Sequence, residues 1–391
     1  MSSNGRVNLT VEYKGYIFKD VNNNGTYSFR NVCVETTTNY TTGAKGKRII
    51  VYNSHNSWNV SKPNQVSLYK KRITVDRSNF RKLYKHWDIY FSSDVIPRNQ
   101  TLLPTTAFFV SPAFLANLYH FWNDQFIRLF SVIKSANRLH EGMNNEIVCN
   151  TDIHSALPAR NKEILRTLYT TDFHDVFTQL PTNTCYSSAV FGAINNLERD
   201  RDAVDHVLTK LNVSRRTSTT IKSSLVIVKR TIRRITNIGD LEKAAKDAGY
   251  ESVRIVQFES MPIKDQMTVA ADTRVMVGVH GAGLQWAIFM PEGSFLVEIS
   301  WPQKYWFPFY NSIVDSYNIR YYNLTAQVVN PNWENYKHFG KKSNDERLKL
   351  MNMSHTDMWS FYNVWKNADV SVDIKTFTEI ITEIRIQLLN K

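Results

Sequence analysis

Val277-Gly278-Val279-His280-Gly281-Ala282-Gly283-Leu284 joins an apolar run to the start of a helical pattern. Glycines at such a junction let backbone approach a ligand closely, and the free N–H groups that open a helix favour an anion, phosphate above all. A dinucleotide fingerprint would need Gly-x-Gly-x-x-Gly in the first βα turn. Counted from Gly281, the last of those positions is Trp286, and the box falls late in its domain, which disfavours NAD and FAD. Taken alone, the box equally fits a tight turn in which His280 bonds only to backbone.

Lys229-Arg230-Thr231-Ile232-Arg233-Arg234 follows another apolar run, Ser224 to Val228. Four cations at the carboxyl edge of a strand can neutralise a diphosphate, and arginine does so with a bidentate fork. By itself the segment also suits a solvated basic loop. Asn117, His120 and Asp124 share one stripe of a predicted helix over 117–136, beside an apolar face of Leu118, Phe121, Trp122, Leu129 and Val132. A histidine with a carboxylate one turn on is a candidate general base, while a capping Asn and a satisfied helix-face His are the plainer explanation. Asp200-Arg201-Asp202 has a metal-holding D-x-D form, but its place in a charged helical segment marks it as coincidence. Lys70–Lys85 interleaves aromatics with cations, yet carries no nucleic-acid module.

Positioning these groups requires strands that end where the motifs begin. Apolar runs predict strands at 48–52, 88–91, 107–110, 146–149, 176–180 and 186–191, with helices over 117–136 and 160–167 between them. Beyond a charged, Ser/Thr-rich stretch at 198–223, strands at 224–228, 252–258, 274–279 and 294–299 alternate with helices at 240–248, 264–271 and 282–289. Repeated βα units with continuous apolar strands indicate a parallel sheet covered on both faces, whose ligands sit beyond the strands' carboxyl ends. Helical patterns return at 358–366 and 376–389.

The chain has 391 residues, 42% hydrophobic and 21% charged, enough for two cores and inconsistent with disorder. Its 48 Lys and Arg against 35 Asp and Glu leave +13, which favours anionic partners without choosing among them. No apolar run reaches membrane-spanning length, and the first thirty residues carry no secretory pattern. Asn8, Asn24, Asn39, Asn59, Asn99, Asn212, Asn323 and Asn352 each begin an Asn-x-Ser/Thr sequon, mild support for a luminal protein. Cys33, Cys149 and Cys185 fit one disulfide with a free thiol, or three buried thiols.

Taken in order, Cys33, then Asn117, His120 and Asp124, then Cys185, Arg230, Arg234, Asn237 and Gln266 resemble glycosyltransferase family 61. Val277–Leu284 and Pro291-x-Gly293-Ser294 leading to Glu298-Ile299 complete the resemblance, which spans residues 30–325. It implies an α/β fold of the GT-B type, two facing Rossmann-like domains with a central cleft. The acceptor-side domain would cover 30–215 and the nucleotide-sugar domain 222–325, with helices of 355–391 packing back on both. The implied activity is inverting transfer of a sugar, N-acetylglucosamine ahead of xylose, from a UDP-sugar to a hydroxyl of a glycoprotein or glycan. Arg230, Arg234, His280, Gly281, Ala282, Gly283 and Leu284 would bind the donor, and Glu298 its ribose. Asn117 would lie on the acceptor side, with His120 or Asp124 as the base. The reading calls for no cofactor and assigns no metal-binding residue, leaves dependence on a divalent metal open, and takes no nucleic-acid partner and no membrane span. Its setting would be the endoplasmic reticulum or Golgi lumen, or secretion. An inactive glycan-binding protein of the same fold is the alternative.

Overall fold

The computed structural model describes residues 19–20, 26–38, 45–52, 69–74, 86–92, 100–110, 117–127, 130–131, 134, 145–149, 184–192, 201–215, 223–301, 309–330, 343 and 367–390. The chain divides into two units, Met1–Ala203 and Val204–Lys391. The predicted strand at 176–180 and helices at 160–167 and 358–366 lie outside the described residues.

In the first unit, β1 (Lys19–Asp20), β2 (Thr26–Thr38), β3 (Lys45–Tyr52), β4 (Tyr69–Thr74), β5 (His86–Ser92), β6 (Thr101–Val110), β7 (Asn145–Cys149) and β8 (Thr184–Gly192) form one sheet. Its order is β4-β5-β3-β2-β8-β6-β7, with β1 on β2. The sheet is mixed: β2 runs antiparallel to β3 and β8, whereas β3 with β5 and β6 with both β7 and β8 are parallel. A Rossmann-like parallel sheet is therefore not what this unit builds. Residues 39–44 alone join β2 to β3, which is enough for a hairpin and too short for a parallel crossover. At the centre of β2, Val32, Cys33 and Val34 are buried, and Cys33 lies directly opposite Cys185 of β8 and is disulfide-bonded to it. The Cys149 side chain lies outside the described residues.

After β6, α1 (Leu118–His120) runs straight into a π-helical turn at Phe121–Phe126, within the helix expected over 117–136, and residues 127, 130, 131 and 134 are α-helical again. Phe121, Trp122, Phe126, Ile127 and Phe130 are buried, and edge-on ring contacts join Trp122 to both Phe121 and Phe126. Helix α2 (Arg201–Lys210) ends in a turn in which Asn212 is left-handed, with φ of 51°.

The second unit holds the predicted alternation. Strands β9 (Ser224–Val228), β10 (Ser252–Val256), β11 (Val275–Val279), β12 (Phe295–Ser300) and β13 (Arg320–Thr325) form a sheet of order β10-β9-β11-β12-β13, parallel throughout. All residues of β9, β11 and β12 are buried, as strands covered on both faces must be. Alternate residues Leu225, Ile227, Val275, Val277, Val279, Phe295, Val297 and Ile299 pack in one core with Leu241 and Ala245 of α3 (Ile238–Asp247). Phe377, Ile381, Ile384 and Leu388 of α6 (Ile374–Leu389) join the same core. By strand alternation Val226, Met276 and Leu296 face the other side, where α4 (Ile263–Ala271) and a 3-10 segment, Ala282–Phe289, also pack their buried residues. Helix α5 (Phe309–Asp315) precedes β13, and a short antiparallel pair, β14 (Gln327–Val329) with β15 (Asp369–Ser371), completes the unit. Among the described residues no helix is long and apolar enough to cross a membrane.

Candidate functional site

Strand β9 is flanked by β10 on one side and β11 on the other, so the chain reverses its direction of winding between β9 and β11. The loops leaving the carboxyl ends of those two strands border the crevice in which open α/β sheets take ligands. One is 229–237 and the other opens at His280. The basic segment and the glycine box of the sequence thus meet at one edge of one sheet.

Two glycines make the junction possible. A Cβ at Gly278 would lie 2.8 Å from Leu284 Cδ2 and 3.0 Å from Val228 Cβ, so its absence lets the 3-10 segment lie against the sheet. Gly281 has φ 148° and ψ 175°, a region that side chains rarely adopt. A Cβ there would fall 2.1 Å from Arg230 Nη1 and 2.8 Å from Arg233 Nη1. The two guanidinium groups lie against the bare backbone. Arg233 Nη1 donates to the His280 carbonyl at 2.8 Å, and Arg230 Nη1 reaches the same oxygen at 3.4 Å. Arg233 is 7% exposed, has a left-handed φ of 60°, and stands over the Trp301 ring at 5.8 Å. Tyr310 Oη donates to the Gly281 carbonyl at 3.0 Å. Arg230 Nε is buried and meets no acceptor among the described residues. Two like charges sharing one carbonyl leave a net positive pocket that an anion would relieve. The segment after Gly281 is 3-10 rather than α-helical, and the two arginines bring full charges beside its first N–H groups.

His280 is buried beneath them. Its Nδ1 lies 2.7 Å from Glu298 Oε1, and Tyr321 Oη donates to Glu298 Oε2 at 2.7 Å. Asn323 Nδ2 donates to Tyr321 Oη at 3.2 Å, and Ser300 Oγ donates to Asn323 Oδ1 at 2.8 Å. Burial pushes the Glu298 carboxyl up to about 8, against the lowering effect of the Tyr321 hydrogen bond. Burial, then Arg233 and Arg230, hold His280 well below the usual histidine range. At neutral pH the imidazole is therefore uncharged. Glu298 has no exposed surface and both its oxygens are engaged, so it reaches His280 and Tyr321 and not the ribose expected of it.

Arg234 differs from its expected role as well. Its guanidinium pairs with Asp369 through Nε at 3.0 Å and Nη2 at 2.6 Å, and its backbone N–H donates to Asp369 Oδ1 at 2.7 Å. The left-handed turn at Arg233 swings that residue onto His280 and sends its neighbour to the β15 strand. Asn237 continues the tie, donating from Nδ2 to the Val372 carbonyl at 2.8 Å and accepting from Val372 N at 3.1 Å. Gln266 Nε2 donates to the Met261 carbonyl at 2.7 Å, closing the first turn of α4. Ala282 and Gly283 are half-buried, and Leu284 is fully buried against the sheet.

In the first unit, Asn117 caps α1, accepting from Tyr119 N at 3.0 Å. His120 closes α1 and Asp124 sits in the π turn, but their side chains lie outside the described residues. Asp202 of the D-x-D triplet ion-pairs with Lys134. Of the basic run Lys70–Lys85, the first residues form β4 against β5, and 75–85 lie outside the described residues. Two sequons fall on described residues: Asn212 is exposed, whereas the Asn323 amide is engaged with Tyr321 and Ser300. Tyr310, Tyr321, Asn323 and Ser300 escaped sequence reasoning, although Tyr321 and Asn323 share one strand face by their spacing of two.

Comparison with known proteins points to one family. The family model described as Glycosyltransferase 61 matches residues 118–297, which takes in the π turn, the arginine loop and the glycine box and stops one residue before Glu298. The chain is 28% identical over 131 residues to the EGF domain-specific O-linked N-acetylglucosamine transferase of Rattus norvegicus, covering 32% of this chain and 25% of that protein. The protein of the same description from Mus musculus matches to the same extent, and that of Xenopus laevis is 25% identical over 119 residues, covering 29% and 21%. The chain thus spans about a quarter of the length of the curated relatives it matches.

Proposed function

We propose, for a chain whose residues 118–297 belong to glycosyltransferase family 61, that it is an inverting glycosyltransferase. It transfers N-acetylglucosamine from its UDP-linked form to a hydroxyl of a glycoprotein or glycan. The observation that carries the donor half is the pair of guanidinium groups, Arg230 and Arg233, laid on Gly281 at the switch point of the parallel sheet. A diphosphate placed there would take bidentate hydrogen bonds from the guanidinium forks, and its charge would be offset as it departs. The choice of sugar follows the relatives' names.

In the step proposed, the acceptor oxygen forms a bond to the anomeric carbon while the bond from that carbon to the diphosphate oxygen breaks. The electron pair leaves with UDP, and the acceptor's proton passes to a base in the first unit. His120 and Asp124 are the candidates. The base is expected to contribute on the order of a hundredfold or more to turnover. His120→Ala and Asp124→Asn are therefore compared in a transfer assay, and full turnover in both would remove the pair from the mechanism. On this reading the parallel sheet of the second unit serves the donor, and the first unit, whose mixed sheet departs from the Rossmann-like form, supplies the base. The Cys33–Cys185 disulfide supports an oxidising, luminal setting.

Donor binding is the direct test, because it needs no acceptor. UDP at about a hundred times its Kd adds roughly 2.7 kcal/mol to stability, a visible shift in Tm. UDP and UDP-N-acetylglucosamine are expected to raise the Tm, UDP-xylose to do so less, and NAD not at all. Arg230→Ala should weaken UDP binding by about tenfold to a hundredfold, the worth of a charge-assisted hydrogen bond. Arg234→Ala, whose guanidinium is held by Asp369, should change it by less than about threefold. A Tm indifferent to every uridine nucleotide would sink the donor-site reading.

A further inference from the structure

We infer that Asn212 is a modification site, the acceptor of an N-linked oligosaccharide, and that Asn323, the other sequon asparagine on described residues, stays bare in the folded protein. The inference rests on the luminal setting read from the Cys33–Cys185 disulfide and is independent of the donor site.

The triplets Asn212-Val213-Ser214 and Asn323-Leu324-Thr325 both satisfy the acceptor pattern, and their surroundings separate them. Asn212 stands just past the end of α2. Its N–H donates to the Thr209 carbonyl at 3.0 Å, and the next N–H, of Val213, donates to the Leu208 carbonyl at 2.9 Å. These two bonds make the Schellman close of a helix, with Asn212 in the left-handed position at φ 51°. Leu208 and Val213 are buried, which pins the turn from inside. Asn212 and Ser214, on either side of Val213, are exposed.

The turn explains an asparagine at position 212, since Asn is one of the few residues that tolerate a left-handed backbone. It does not explain Ser214. Among the described residues neither the Asn212 amide nor the Ser214 hydroxyl has a side-chain hydrogen bond. The two groups that define an acceptor therefore stand free on one exposed turn, the surface position that an N-linked glycan needs. The turn is also clear of the arginine pocket. Arg215 Nε donates to the carbonyl of Phe289, the last residue of the 3-10 segment that begins next to Gly281. Seven residues separate that anchor from Ala282, about 14 Å at the 3-10 rise.

Asn323 is placed in the opposite way. It lies within β13, opposite the fully buried Glu298 of β12, and Leu324 of its triplet is buried. Its Nδ2 donates to Tyr321 Oη at 3.2 Å, and its Oδ1 accepts from Ser300 Oγ at 2.8 Å. A sugar on Nδ2 would stand against the Tyr321 hydroxyl that bonds Glu298. A chain glycosylated there before folding could not close this network.

In the modification, Asn212 Nδ2 forms a bond to the anomeric carbon of an oligosaccharide carried on a lipid diphosphate. The bond from that carbon to the diphosphate oxygen breaks, the electron pair leaves with the lipid diphosphate, and an amide proton passes to a base of the transferring enzyme. The full chain, directed into the secretory lumen of eukaryotic cells and purified as folded protein, tests the choice of acceptor. Enzymatic release of N-glycans in 18O water leaves a labelled aspartate at each occupied asparagine, which peptide mass spectrometry reads. Asn212 should be labelled and Asn323 unlabelled. Asn212→Gly, which suits the left-handed turn, and Ser214→Ala, which keeps the asparagine, should each lose one glycan and remain folded. The unreduced digest also reads the Cys33–Cys185 bridge. An unmodified Asn212 or an occupied Asn323 in bridged protein would overturn the inference and leave the luminal setting standing. An unmodified Asn212 in protein without the bridge would overturn both.

Discussion

Gly281→Ala is expected to abolish tight UDP binding while leaving a folded protein. The methyl group would occupy the place of Arg230 Nη1, 2.1 Å away, and crowd Arg233 Nη1 at 2.8 Å, so both guanidinium groups must leave the His280 carbonyl. The backbone conformation itself, at φ 148° and ψ 175°, would cost the alanine roughly 1–3 kcal/mol. Loss of two charge-assisted contacts to a diphosphate would add roughly 3–6 kcal/mol in binding, a weakening of at least a hundredfold. The core contacts of β9, β11 and β12 are untouched, so the Tm should fall only by several degrees. Calorimetric titration with UDP and a thermal melt on the same sample separate the two effects. Unchanged UDP affinity would show that the arginines do not hold the nucleotide.

Removing the Cys33–Cys185 bridge should be the most destabilising change in the first unit. It joins positions 152 residues apart in the two strands that flank each other at the middle of the mixed sheet. In the chain-entropy account a closed loop of that length is worth about 5 kcal/mol, and removing native disulfides costs roughly 2–5 kcal/mol. The expected outcome is a Tm lower by roughly 10 °C in Cys185→Ala or under reductant. Scanning calorimetry with and without a phosphine reductant checks it, since reductant should act on the wild type and have no effect on the variant.

The second unit was legible because β9, β11 and β12 are continuous apolar runs that end at turn residues, the signature of strands buried on both faces. β2 was not, since TYSFRNVCVETTT is polar over most of its length and acquires its place through pairing on both sides. The basic loop is visible in the sequence as four cations with anion affinity, and the family resemblance singles out Arg230 and Arg234 among them. A left-handed backbone at a non-glycine residue leaves no mark in sequence, so Arg233 was hidden among its neighbours. Glu298 was picked out, with its partners unseen, because the links to His280 and Tyr321 cross from strand to strand and come from register rather than local pattern. The π turn at Phe121–Phe126 falls inside a segment whose apolar spacing reads as a regular helix, because that spacing is blind to a local change of one residue in the hydrogen-bond step.

The tie between the arginine loop and β15 bears on when this protein becomes competent during its synthesis. Arg234 and Asp369 are 135 residues apart, as are Asn237 and Val372, and Ile235 bridges Val370 over the same span. Strands β9 to β13 are all made before Asp369 is translated, and both the tie to the loop and the α6 face of the core wait for the last residues of the chain. Contacts so distant in sequence form late, because their closure entropy must be met first. A ribosome paused between β14 and β15 would therefore carry the five strands with their α6 face uncovered and the arginine loop unanchored.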